Sequence, residues 1–126
     1  MIIKNSKCLA GDNTGIKKIK CINISNQRAK IGSLGDLIVF SINKIKKKKS
    51  FEKKKIYSGL IINVRKKKKR LDGSYISFKQ NSIITLTENR KPLGTRLLFP
   101  LSKEIVKGKL KNDFFKKIIS SSKFII

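Results

Sequence analysis

A chain of 126 residues with 32 Lys or Arg against 7 Asp or Glu has a formal charge of +25, one net positive charge for about every five residues. That length leaves no room for a second full domain, while an apolar share of 39% suffices for one core. The longest unbroken apolar run, Leu37 to Phe40, is four residues, far below the roughly 20 of a membrane helix; no membrane partner is expected, and a polyanion is.

Enzyme and metal chemistry are poorly supplied. His is absent, so the commonest general base and the usual triads are missing. No two of the carboxylates Asp12, Asp36, Glu52, Asp72, Glu88, Glu104 and Asp113 lie closer than nine residues in sequence, and there is no phosphate-cradling glycine loop. Cys8 and Cys21, without His, cannot complete a tetrahedral zinc site and are too few for a disulfide scaffold. They read as small apolar residues. No catalytic residue, cofactor or metal is expected.

Strand signals dominate the first two-thirds of the chain. A turn at Gly11 to Gly15 precedes a β-branched segment, Ile16 to Ile24. A second turn, Gly32 to Asp36, precedes Leu37 to Ile42, with Ile38, Phe40 and Ile42 on one face. In the segment Ile56 to Arg65 the same alternation puts Leu60, Ile62 and Val64 together. Ser74 to Phe78 alternates, and Ile83 to Thr87 is a further short strand. Several short strands divided by Gly and Asn/Asp turns argue for a barrel or sandwich. After Pro100, Leu101 and Ile105 fall at helical spacing behind Ser102 as N-cap, and a second short helix is expected over Phe114 to Ile119. Helices this short must rest on the barrel.

The charge is concentrated. Lys44 to Lys55 carries eight lysines and one acid, and Arg65 to Arg70 is six basic residues in a row. The second run leads into Asp72-Gly73, a strong hairpin signal, which places it on one arm of a projecting ribbon at 64–78. A ribbon basic on both faces fits an RNA groove, meeting phosphates on two sides. The seven Phe and two Tyr form no stacking platform. Binding is therefore expected to rest on phosphate contacts and shape.

Ordered pieces of the sequence then resemble one family, that of the universal large-ribosomal-subunit protein numbered fourteen. They are Asp12-Asn13-Thr14-Gly15 with Cys21-Ile22, then Gly35-Asp36-Leu37-Ile38, then Gly59-Leu60-Ile61-Ile62. Asp72-Gly73-Ser74, Phe78, Asn81, Gly94-Thr95-Arg96 and Phe115 to Ser120 complete the series. Departures fall at Gly11, Leu71, Phe99 and Ile84-Thr85, and Lys46 to Lys55 lacks the family's Pro and Gly turn.

The resemblance implies a mainly β fold: a small closed barrel of about five strands with a protruding hairpin and a short helical C-terminal part. The chain is read as one domain, 1–126, with the barrel in 1–100 and the helices in 101–126. The resemblance also implies binding to large-subunit rRNA, bridges to small-subunit rRNA, and neighbouring large-subunit proteins including universal protein number three. In bacteria and organelles it implies a surface for the ribosome-silencing factor. By position, Thr14, Lys17, Lys18, Lys66, Lys67, Lys68, Lys69, Arg70 and Arg96 match family positions near RNA. Arg65 joins them as the head of the ribbon run, while Lys44, Lys46, Lys47, Lys48 and Lys49 are assigned on charge alone. A free-standing RNA- or DNA-binding barrel is the alternative, and it would expose aromatics on a strand face.

Ile, Lys and Asn together account for 57 residues, while Ala occurs twice. Such a composition points to A/T-rich coding DNA. With no targeting segment in Met1-Ile2-Ile3-Lys4, it suggests a gene translated in a mitochondrion, with a plastid or an A/T-rich bacterium as alternatives.

Overall fold

The computed structural model describes residues 1–25, 30–46, 55–108, 116, 119–120, 122 and 124–126. Five strands close a barrel in the order β1 (Lys7–Ala10), β2 (Ile16–Ile24), β3 (Leu37–Ile45), β4 (Ile56–Asn63) and β7 (Ser82–Leu86). Neighbours are antiparallel except β1 and β7, which run parallel and seal it. Closure pairs each of the five barrel strands on both sides. Between β4 and β7, β5 (Lys68–Lys69) and β6 (Tyr75–Ile76) form a separate two-stranded ribbon. A short helix, α1 (Lys103–Gly108), follows Ser102. The expected mainly β barrel with a hairpin is what forms; most of the second expected helix, Phe114 to Ile119, lies outside the described residues.

Burial follows the alternation in the sequence. Ile38, Phe40 and Ile42 all point into the barrel, joined by Ile19, Cys21, Ile61 and Ile83. A second apolar layer lies on the outer side of β4 and β7, where Leu60, Ile62, Ile84 and Leu86 meet Leu97, Leu101 and Ile105. The C-terminal part thus covers one flank of the barrel, and β4 is buried on both faces from Gly59 to Asn63.

Two readings of the strands need correcting. Lys7–Ala10 is a strand whose polar start and short length hid it. Val64 does not share a face with Leu60 and Ile62, because a bulge in the pairing of β4 with β7 puts an extra residue between Ile61 and Asn63. The parity flips there, and Val64 joins the barrel interior.

Burial pushes the Cys8 thiol up to about 11, with the nearby Cys21 adding to the shift. Burial raises Cys21 as well. Both thiols stay protonated at neutral pH, which fits their reading as packing residues.

Candidate nucleic-acid interface

The exposed face of β1, β2 and β3 is lined with lysines set directly opposite one another. Lys7 pairs with Lys20, and Lys18 lies between Leu9 on β1 and Lys44 on β3. Residues opposite across antiparallel strands hold their Cβ atoms about 5 Å apart, and like charges there repel. A bulge between Ile16 and Lys18 gives β2 an extra residue, so Lys17 and Lys18 are both exposed where strict alternation would hide one. The Lys46 amide donates to the Gly15 carbonyl at 2.8 Å, which brings the end of β3 beside Lys17 and Lys18. Lys7 and Lys20 were not among the sequence candidates. Lys20 was legible, as an outward position of a segment already read as a strand; Lys7 was not, because its strand was missed.

The acids nearest to turns are engaged by the loops that carry them. The Asp12 carboxylate is buried and accepts the Thr14 hydroxyl at 2.6 Å and the Thr85 amide at 2.9 Å. Asp36 accepts the amide and hydroxyl of Ser33, and Asp72 those of Ser74. These hydrogen bonds to Asp72, the Ser74 hydroxyl first, hold its carboxyl below the ordinary 3.8. Carboxylates used this way shape loops.

Thr14 and Arg96 are positioned by one interaction between remote segments. Asn13 Oδ1 accepts the amides of Thr95 (2.9 Å) and Arg96 (3.2 Å), and Asn13 Nδ2 donates to Thr95 Oγ1 at 2.8 Å. Arg96 is thereby held, exposed, beside the turn that carries Thr14. Thr14 itself faces inward, with its hydroxyl spent on Asp12.

The second basic run starts at the foot of the ribbon. The Arg65 amide donates to Asn81 Oδ1 at 2.9 Å, and the Phe78 amide to the Val64 carbonyl at 3.1 Å, fixing both arms to the barrel. Arg65, Lys66, Lys67, Lys68 and Lys69 are all exposed. The turn is a three-residue loop, not a two-residue one: Arg70 donates to the Ser74 carbonyl, and only Gly73 within it has a positive φ, +88°.

Arg70 is placed differently from its neighbours. Its guanidinium pairs with Glu104 of α1 and donates to the Ile126 carbonyl at 2.7 Å. That contact ties the ribbon tip to the C-terminal part. Lys44 and Lys46 are exposed at the end of β3, and Lys47, Lys48 and Lys49 lie outside the described residues. Lys17, Lys18, Lys44 and Lys46 therefore come together on the barrel, while Lys66 to Lys69 project on the ribbon and Arg96 stands beside the first turn.

Residues 1–126 match the model of the family described as "Ribosomal protein L14p/L23e". The proteins called "Large ribosomal subunit protein uL14" of Aquifex aeolicus and of Hydrogenobaculum sp. are similar to the chain. Each is 34% identical over 120 residues, covering 95% of this chain and 95% of the relative.

Proposed function

The chain belongs to the uL14 family of ribosomal proteins, and from that premise we propose that it binds large-subunit rRNA and helps form the face that meets the small subunit. The family is a structural constituent of the large subunit, a class without catalytic activity. The observation that carries the RNA-binding reading is the set of lysines held opposite one another on β1, β2 and β3, Lys7 with Lys20 and Lys18 with Lys44. A free protein gains nothing from such pairs, whereas a polyphosphate backbone turns their repulsion into attraction.

In this reading Lys17, Lys18, Lys44 and Lys46 contact phosphates from the barrel, Lys66 to Lys69 from the ribbon, and Arg96 from the first turn. Bridges to small-subunit rRNA, contact with universal protein number three and a surface for the ribosome-silencing factor belong to the same proposal and rest on family membership. The relatives named above are bacterial, which suits a bacterial cytoplasmic ribosome. The mitochondrial assignment rests on the Ile-, Lys- and Asn-rich composition alone.

Gradient sedimentation of the tagged protein tests the proposal. It should travel almost wholly with large subunits and joined ribosomes, and RNase treatment should release it. A protein found mainly at the top of the gradient would overturn it.

A further inference from the structure

A groove of about 420 Å³ opens between β1, β2 and the foot of the ribbon, and four cations converge on it: Lys7, Lys18, Arg65 and Lys79. Its lining contains no carboxylate. The volume falls within the roughly 300–1,000 Å³ of ligand sites.

The four side chains come from four segments, β1, β2 and the two arms at the foot of the ribbon, that are locked together beneath them. Lys18 stands two residue-pairs along from Lys7 on the adjoining strand, its own partner being Leu9. The Leu9 amide donates to the Asn81 carbonyl at 3.0 Å, and the Arg65 amide to the Asn81 side-chain oxygen at 2.9 Å. Asn81 therefore fixes β1 and the start of the basic run at once, and Lys79 precedes it by two residues. The cations are gathered by the barrel's own hydrogen bonds, so their convergence exists before any ligand arrives and costs Coulomb energy until an anion enters.

We propose that this groove holds one backbone phosphate of the bound RNA, gripped by Arg65 and by Lys7, Lys18 and Lys79. The proposal deepens the RNA-binding reading and rests on it. Continuity favours RNA over an acidic peptide: Lys18 belongs to the row that continues to Lys44 on the barrel, and Arg65 heads the run that continues along the ribbon. The groove sits where these two rows meet, so a single strand crossing from barrel to ribbon would pass through it. Arg65 supplies a fork that can meet two phosphate oxygens, and the ammonium groups supply point charges around it.

The test uses the full chain with the variants Lys7→Gln, Lys79→Gln and their double, and Lys68→Gln on the ribbon for comparison. Circular dichroism checks folding, poly(A)·poly(U) is the RNA probe and poly-L-glutamate the peptide probe. Both single variants should weaken RNA binding. The double should lower the slope of log K against log[salt] by at most about 0.9, the value for one phosphate, because Arg65 and Lys18 still face that phosphate, where two separate phosphates would give about 1.8. Wild-type affinity in all three groove variants, or a slope loss of about 1.8 in the double, would overturn the shared site. An equal loss toward poly-L-glutamate would assign the groove to acidic peptides instead. If Lys68→Gln weakens RNA binding while the groove variants do not, the groove fails and the RNA-binding reading stands. If none of the variants matters, both fail. As a readout independent of variant folding, Lys7 and Lys79 in purified large subunits should resist reductive methylation; full reactivity there counts against the site.

Discussion

Asn13 and Thr95, separated by 82 positions, hold each other by two hydrogen bonds: the Thr95 amide donates to Asn13 Oδ1 at 2.9 Å, and Asn13 Nδ2 donates to Thr95 Oγ1 at 2.8 Å. The Arg96 amide adds a third at 3.2 Å. These bonds set where Arg96 emerges from the barrel. Because Asn13 is exposed, water can take over part of what is lost. Asn13→Ala should therefore cost about 1–2 kcal/mol, measured as a shift of the urea midpoint in sulfate buffer. Asn13→Asp keeps the acceptor and should cost less. Equal stability of wild type and Asn13→Ala would mean that the loop holds itself.

The interior is less forgiving. Phe40 is fully buried and stacks on Tyr57 with ring centroids 6.2 Å apart. Phe40→Ala should destabilise by about 3–5 kcal/mol. Gly59 beside it has no space for a side chain: a Cβ there would lie 2.9 Å from the Ile84 carbonyl oxygen and 2.8 Å from Ile83 Cδ1. Backbone cannot yield as a side chain can, so Gly59→Ala should also lower the midpoint markedly. Two variants with near wild-type midpoints would contradict the packing described for β3, β4 and β7.

Much of this was legible beforehand, for a physical reason. A strand that buries one face repeats every two residues, so Ile38, Phe40 and Ile42 announced the barrel interior from sequence. The basic runs were equally plain. What stayed hidden depends on pairing. The bulges at Lys17 and near Ile62 change parity without any mark in the composition, and they decide that Lys17 is exposed and Val64 buried. The groove was hidden too, because Lys7, Lys18, Arg65 and Lys79 meet only after β1 docks against β2 and Asn81. Arg70 looked like its neighbours, since nothing local shows that Glu104 waits 34 residues on.

The opposed lysines make a prediction about the free protein. Lys20→Glu puts an acid opposite Lys7 and should stabilise the isolated chain by about 0.2–1 kcal/mol at low salt. The gain should vanish near 1 M salt, where screening reaches only about 3 Å. The same variant should join large subunits less well. A stabilisation that persists at high salt would point to packing and not to charge.

Acid should loosen the contact between ribbon and helix. Partial burial of Glu104 works against its ionisation, but hydrogen bonds from its own backbone amide and from Arg70, with the Arg70 charge, outweigh this and hold its carboxyl below the ordinary 4.5. A carboxyl depressed in the folded state adds stability above its unfolded pKa and loses it as pH falls through the folded value. Stability should therefore drop below about pH 4.5 more steeply in wild type than in Glu104→Gln. Parallel pH profiles would show that the pair with Arg70 adds nothing.

The ribbon itself provides the sharpest separation of fold from function. Gly73 adopts φ of +88° with nothing within 4 Å of where a Cβ would sit, so an added Cβ meets no clash. The cost of Gly73→Val is then one of backbone alone, about 1–2 kcal/mol for a side chain forced into the left-handed region. Asn tolerates that region better, so Gly73→Asn should be milder. The valine variant can relieve its strain by opening the loop, which releases Arg70 from the Ser74 carbonyl and disturbs the pairing of Lys68 with Ile76 and Lys69 with Tyr75. A slip of one residue would turn the charges of that arm to the opposite face. The barrel core is built without the tip, so circular dichroism should stay close to wild type. Incorporation into large subunits and joined ribosomes, read from gradient fractions, should fall for Gly73→Val and remain near normal for Gly73→Asn. Replacing residues 69–73 by a short Asn-Gly turn, which removes Lys69 and Arg70, should reproduce the valine defect. Wild-type gradient fractions for both the valine variant and the shortened ribbon would show that the arm is a solvated loop and does not contact RNA.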